Sequence, residues 1–269
     1  MWVPWLLRSL RSCGSSGCRV VPLGGSRDGG WSKRSFDIVF AVVLSLLLAP
    51  VMVVCAGAVL LGDGFPILFR QKRVGQHGRP FWIVKFRTMR PAPGAEVTAA
   101  GDPRVTRVGQ VLRRFKLDEL PQLWNVLVGE MSLVGPRPEV PRYVSERGRV
   151  YRAVLMLRPG ITDFASLVFR DEEELLSRRA TEPGFYQQAL LPRKVALARL
   201  YARRRSLLLD VRLLFATVCT LLGLERWTRR LILVRLYEKG RRGIETSGYP
   251  TRRWANDRAV VRPEEGQKR

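Results

Sequence analysis

The chain has 269 residues, 46% of them hydrophobic, and carries 47 Lys and Arg against 23 Asp and Glu, a formal charge of +24. That apolar content supports a buried core and excludes wholesale disorder, while the surplus of cations points to anionic partners: nucleic acid, acidic lipid headgroups or phosphorylated substrates. With one histidine, His77, and no Cys-x-x-Cys pair among Cys13, Cys18, Cys55 and Cys219, the sequence argues against a Ser-His-Asp or Cys-His device, a disulfide framework and a zinc site.

Residues 1–32 mix Gly, Ser and Arg with short apolar pieces. They lack the order of a secretory signal and read as a poorly structured extension. Ile38 to Gly62 then holds no charged residue, a run of about 25 positions where a bilayer-spanning helix needs ~20. Pro50 interrupts it and predicts a kink, because it cannot donate to the carbonyl of Leu46. Each half would be ~18 Å long at 1.5 Å per residue, too short to cross a ~30 Å hydrocarbon core alone. Both flanks are basic, with Lys33 and Arg34 before and Arg70, Lys72 and Arg73 after, which draws both ends to the cytoplasmic side. A kinked hairpin entering and leaving by one face satisfies both facts; a spanning helix with a tolerated proline is the alternative.

Phe65 to Phe69 and Phe81 to Phe86 read as strands around the turn-like Gly75-Gln76-His77-Gly78. After a Pro/Ala/Gly loop from Pro91 to Gly101, helical patterns return at Val108–Phe115, at Pro121–Val128 and in a long basic amphipathic stretch from about Pro192 to Leu224. The last reads either as a membrane-surface element or as a helix packed on the core. Arg229 to Arg269 is charged and punctuated by Gly, and is expected to be loose at its end.

The chemistry is concentrated between these helices. Asp118 and Glu119 are adjacent and lie just before Leu120-Pro121, which places them at a helix N-terminus where free amides favour negative charge. Asp118 is therefore expected to be held ionised, as an attacking carboxylate must be. Arg113, Arg114 and Lys116 lie just upstream, Gly135-Pro136-Arg137-Pro138 presents a guanidinium on a rigid turn, and Lys85 and Arg87 alternate along a strand and so share a face. Carboxylates ringed by Arg and Lys suit phosphoryl transfer, in which cations clamp phosphate oxygens, a carboxylate attacks phosphorus and a divalent metal neutralises developing charge. Each piece also has a plain structural use, as a helix cap, a solvated ion pair or a turn.

Taken together, these strings closely resemble the monotopic phosphoglycosyl transferases, the bacterial sugar transferase family. The resemblance runs from Lys33 to Thr162, through Lys33-Arg34-Ser35-Phe36-Asp37, Arg70 to Gly75, Phe81 to Met89, Leu117 to Leu123, Gly129 to Glu139 and Arg158 to Thr162. It implies an α+β protein with four parts: an extension (1–32), a re-entrant membrane helix (33–64) broken at Ala49-Pro50, a cytoplasmic, mostly helical catalytic domain with a small β element and interfacial amphipathic helices (65–225), and a basic C-terminal segment (226–269). It further implies transfer of a sugar-1-phosphate from a UDP-sugar to a polyprenyl phosphate, commonly undecaprenyl phosphate, with release of UMP on the cytoplasmic face of a bacterial inner membrane. Such chemistry would begin exopolysaccharide or glycoconjugate assembly. On this resemblance Asp118 is the nucleophile that forms a covalent phosphosugar, and Glu119 is its partner for proton or metal handling. Mg²⁺ is the implied cofactor, held by Asp118 and Glu119. Arg113 and Arg137 grip phosphates, with Pro136, Pro138, Lys85 and Arg87 completing the nucleotide and phosphate site.

Two departures stand out. Glu130 replaces the family's usual Asp, and Asp163-Phe164-Ala165-Ser166 follows Thr162 where many members have Gly-Trp-Ala-Gln. The acidic run Asp171 to Glu174 bears either on sugar choice or, in the preferred reading, only on a solvated helix start. A membrane-tethered nucleic-acid binder is the alternative that the charge admits, although no helix-turn-helix, zinc finger or RNP-like strip is present; a non-catalytic scaffold on the same fold is another. An Asp-x-Asp glycosyltransferase, a Walker A loop and a Gly-x-Gly-x-x-Gly loop have no counterpart in the sequence. The sugar, the pathway and the oligomeric state are not legible.

Overall fold

The computed structural model describes residues 30–91, 98, 100–146, 151–178 and 184–224. Most of the expected N-terminal extension, the basic C-terminal segment, Cys13 and Cys18 lie outside the described residues. The charge-free run forms α1 (Gly30–Asp63), one 34-residue helix that continues through Pro50. The expected break at Ala49-Pro50 does not divide it into two helices, since a missing amide at one position leaves the rest of the backbone ladder intact. Among the described residues this is the one helix long and apolar enough to cross a membrane.

Both ends of α1 are tied to the rest of the protein. Near its start, the Arg34 guanidinium donates to the carbonyls of Val126 (2.6 Å) and Leu127 (2.8 Å). The buried Asp37 carboxylate accepts from the amide of Leu133 at 3.2 Å. Lys33 bridges Asp37 (3.2 Å) and the buried Asp210 (2.8 Å), which also accepts from the Tyr201 hydroxyl at 2.7 Å. At the other end Asp63 accepts from the Thr106 hydroxyl at 2.8 Å, and Cys55 and Val59 pack with Phe86 and Leu112. Between these anchors α1 exposes Leu46, Leu47, Val53 and Val54, each about 70% accessible.

Strands β1 (Leu68–Val74) and β2 (Pro80–Phe86) form an antiparallel ribbon in register from Leu68↔Phe86 to Val74↔Pro80. The second strand is where the sequence places it, whereas the first lies three residues beyond the expected start and takes in Arg70-Gln71-Lys72-Arg73. A ribbon with much of one strand exposed tolerates such a polar string, which apolar patterning does not detect. The turn between them holds His77 at φ 58°.

Next come α2 (Arg107–Arg114), capped by the Thr106 hydroxyl, a 3₁₀ turn (Leu117–Glu119), and α3 (Gln122–Val128). Strand β3 (Ser132–Val134) leads into the Gly135-Pro136-Arg137-Pro138 turn and pairs in parallel with β4 (Gly160–Thr162). Short helices α4 (Pro141–Glu146), α5 (Phe164–Val168) and α6 (Glu172–Arg178) follow. The expected amphipathic stretch is two helices, α7 (Leu191–Arg204) and α8 (Leu207–Leu221). Extended Ser206 separates them, its hydroxyl accepting from the amide of Leu209 to cap α8. The core gathers α3, β3 and α5 against α7 and α8, with Val126, Leu133, Leu190 and Leu213 at its buried centre. Small sheets amid many helices agree with the α+β expectation.

Backbone crossing at the β3–β4 junction fixes the Arg137 turn. A Cβ on Gly160 would lie 2.1 Å from the Gly135 nitrogen, and one on Gly135 would lie 2.4 Å from the Arg158 carbonyl oxygen. Neither neighbour is a flexible side-chain tip, so the strands must part. Gly160→Ala is therefore expected to destabilise the protein by about 1–3 kcal/mol, read as a lowered Tm in detergent, whereas Gly64→Ala, where a Cβ meets no atom within 4 Å but φ is +75°, tests the separate cost of backbone strain.

Candidate active site

Lys116, at φ 56°, turns the chain from α2 into the 3₁₀ turn that carries both carboxylates. A positive φ is uncommon outside Gly and costs local energy; here it directs Asp118 and Glu119 inward, each 7% exposed. The carboxylates thus belong to a separate turn and not to the first turn of α3, whose seven residues begin only at Gln122. The helix-terminus argument for an ionised Asp118 fails on this point.

Cations converge on Glu119. The Lys85 ammonium donates to its Oε1 at 2.8 Å, and Arg137 forks onto the same carboxylate at 2.6 and 3.4 Å. Burial works to raise the Glu119 pKa, but Arg137 and Lys85 outweigh it and hold the carboxyl well below the usual range. Arg137 is correspondingly driven up by Glu119, and Lys85 is drawn down by burial. Asp118 is the opposite case. Burial, and then the charge of Glu119, raise its pKa against the pull of Lys85, Lys116 and Arg113. Its Oδ1 is buried with no hydrogen-bond partner. One carboxylate therefore organises the cations, and the other is left poorly solvated with an oxygen available.

The remaining predicted residues divide. Arg113 lines the same cavity, but its guanidinium pairs with Glu173 and contacts the Met89 sulfur at 3.5 Å, with its Nε buried and unpartnered. Arg87 lies just past β2 and donates to the carbonyls of Asp63, Gly64 and Phe65 at 2.5–2.9 Å. It caps the end of α1 and lines the cavity together with Lys85, although it lies past the strand whose alternation is expected to pair the two. Pro138 lines the cavity, whereas Pro136 lies behind it and its carbonyl accepts from the Gly160 amide at 3.0 Å. His77 is not among the lining residues.

That cavity measures about 880 Å³. Asp118, Glu119, Lys85, Lys116, Arg113 and Arg137 form one side. A second side is apolar and comes from the membrane-length helix and α8, through Leu44, Leu48, Leu214 and Leu221. A third, polar side holds Glu139, Glu172, Tyr186 and Lys194, of which Glu172 belongs to the acidic run that the sequence sets between sugar choice and a solvated helix start. Glu139 falls within one of the family-like strings, although that resemblance gives it no role. Tyr186 and Lys194 have no local signature, because they reach the cavity through long-range packing. Glu172 and Glu173, paired with Lys194 and Arg113 at the cavity, correct the preferred reading of the acidic run as a solvated helix start, whereas Asp171 and Glu174 are exposed as that reading has it.

Mg²⁺ fits only as a shared ion. Among the described residues no three His, Cys, Asp or Glu side chains group to hold a metal, and the Glu119 oxygens are engaged by Lys85 and Arg137. Asp118 Oδ1 offers one hard oxygen, consistent with the habit of Mg²⁺ of taking one or two carboxylates and filling its shell with substrate phosphates and water.

The whole arrangement, from Gly30 to Gly223, is spanned by a single family model, bacterial sugar transferase, which matches residues 29–223. The chain belongs to the bacterial sugar transferase family. It is 40% identical over 196 residues to a UDP-glucose:undecaprenyl-phosphate glucose-1-phosphate transferase of Caulobacter vibrioides, covering 71% of this chain and 69% of that one. An undecaprenyl-phosphate glucose phosphotransferase of Komagataeibacter xylinus is 40% identical, over 69% of this chain and 35% of its own length. A UDP-N-acetylgalactosamine-undecaprenyl-phosphate N-acetylgalactosaminephosphotransferase of Aeromonas hydrophila is 39% identical, over 71% and 43%. The match to this sugar transferase thus covers about a third to two-thirds of those relatives' lengths.

Proposed function

We propose that this sugar transferase moves a sugar-1-phosphate from a UDP-sugar to a polyprenyl phosphate, releasing UMP, at the surface of a bacterial inner membrane. The observation that carries the reading is Asp118: a buried carboxylate with an unpartnered oxygen, in a cavity with cations on one side and apolar side chains of α1 and α8 on another. An Asp118 oxygen attacks the phosphorus that bears the sugar; the P–O bond to UMP breaks, and UMP leaves with the electron pair. A polyprenyl phosphate oxygen then attacks the same phosphorus and frees Asp118, leaving a polyprenyl diphosphosugar. Arg137 and Lys85, fixed by Glu119, face the phosphate oxygens as charge develops, and Arg113 and Lys116 complete the positive wall. Glu119 acts by holding cations in place. Asp118 is the residue that would hold Mg²⁺, which would supply further neutralisation of charge on the departing phosphate.

Membrane seating follows the same logic. Anchors at Arg34–Asp37 and at Asp63 attach both ends of α1 to one catalytic domain, which favours entry and exit by the same face, with the continuous helix bending at Pro50, over a crossing that would put its ends on opposite sides. On α8 and at its C-cap, Leu208, Val211, Phe215, Val218 and Leu222 are exposed at helical spacing, an apolar surface suited to lipid. Purified protein supplied with undecaprenyl phosphate and a panel of UDP-sugars should release UMP from at least one; no release with any of them would refute the activity.

The pKa directions add a sign-definite prediction. The attacking carboxylate must be ionised, so kcat/KM falls as pH drops through the Asp118 pKa, which burial and the Glu119 charge raise from the ordinary aspartate value. Glu119→Gln removes the like charge that helps to raise it and frees Lys85 and Arg137 to pull it down. The acid limb of the pH profile of UMP release should move to lower pH, even as the rate falls about tenfold or more through misplaced cations. An unmoved limb would show that Asp118 is not the group that titrates.

A further inference from the structure

A second polar group lines the cavity beside the cations that gather on Glu119. Lys194, on α7, is buried at 8% exposure and donates to Glu172, at the start of α6, at 2.9 Å. It lies 4.0 Å from Glu139 Oε1 and 5.3 Å from the Tyr186 ring centroid. The Tyr186 hydroxyl reaches the Glu139 oxygens at 3.3 and 3.4 Å, and its ring leans on Tyr143 at 5.3 Å. Burial and the Glu139 carboxylate keep the phenol protonated. Glu172 also acts electrostatically on Arg137, which sets this group beside the arginine of the phosphate wall.

Such a group suits one part of a nucleotide sugar better than the others. Two carboxylates accept hydrogen bonds and cannot donate; against a diphosphate they repel, and on uracil they can meet only the single N3–H, which two carbonyl acceptors flank. Pyranose hydroxyls donate, and each carboxylate has about four acceptor sites, more than its bonds to Lys194 and Tyr186 occupy. Lys194 and the phenol supply donors for hydroxyl oxygens, and an aromatic face packs on sugar C–H groups. Burying a lysine between two carboxylates is costly unless the geometry serves a purpose or is fully compensated.

We propose that Glu172, Lys194 and Tyr186 read the hydroxyl pattern of the transferred sugar and so determine which UDP-sugar this chain uses. The inference rests on the proposed transfer reaction and adds the residues that select its donor. A site built on hydrogen bonds to hydroxyls discriminates through the groups left unpaired when a hydroxyl is misplaced.

The test measures kcat/KM for the preferred UDP-sugar and for its 4-epimer, with inhibition by UDP, in the unaltered full chain and in Glu172→Gln and Tyr186→Phe. Loss of one charged hydrogen bond should lower kcat/KM for the preferred sugar about 10- to 100-fold and shrink the preference over the epimer. Inhibition by UDP, which lacks the sugar, should stay within about twofold and also reports that the variant is folded. Unchanged preference in both variants would overturn the proposal. So would parallel loss of UDP inhibition, which would place these residues at the ribose or in the framework. No transfer from any UDP-sugar by the unaltered chain would overturn the reaction and, with it, this inference.

Discussion

Asp118→Asn is expected to lower UMP release from the preferred UDP-sugar by about 10⁴-fold or more, with little change in affinity for UDP. Removal of a covalent nucleophile costs on this scale because the groups around it are useful only once the attack occurs. Asn keeps the shape of the side chain and removes the like charge beside Glu119, so the buried turn should remain folded and tolerate the exchange. The variant separates two roles for the same carboxylate. If it only bound a metal or capped the turn, activity would fall modestly and recover with excess Mg²⁺. If it attacks phosphorus, no concentration of metal or donor restores the rate.

The second large effect belongs to Arg137. Its guanidinium forks onto Glu119 and is the strongest of the charges that counteract burial in keeping Glu119 ionised. Arg137→Met removes a phosphate-facing cation and leaves the buried Glu119 with Lys85 as its close partner. We expect kcat to fall by about 10²- to 10³-fold. Arg137→Lys should recover only part of this, because an ammonium cannot reproduce the planar fork. Measured kcat and KM for the UDP-sugar, with a thermal melt to establish folding, check both variants; full activity in Arg137→Met would place phosphate binding elsewhere.

Much of this site is legible in the amino-acid sequence. An uncharged run of bilayer length, the Asp118-Glu119 pair and the Gly-Pro-Arg-Pro turn are local features, and local features survive in sequence. Pairing is a different matter. Six cations lie near the carboxylates in sequence or by motif, yet Lys85 and Arg137 take Glu119 while Arg113 goes to Glu173. Those choices depend on which strand and helix ends meet. Arg87 shows the same limit: alternation puts it on a face with Lys85, but β2 ends one residue earlier and the side chain turns to the end of α1. Ser206 holds a legible signal, an N-cap residue before an apolar run, hidden by the continuous amphipathic pattern on both sides of it. Lys116 at positive φ has none, since Lys carries no preference for that conformation.

Mass spectrometry of the protein quenched in acid after brief exposure to its UDP-sugar, without lipid acceptor, tests the nucleophilic role of Asp118 most directly. A sugar-phosphate increment is predicted on the peptide containing Asp118, absent from Asp118→Asn and discharged when polyprenyl phosphate is added. An increment that maps reproducibly to another residue, or steady turnover with no protein-bound sugar phosphate at any time, would contradict it.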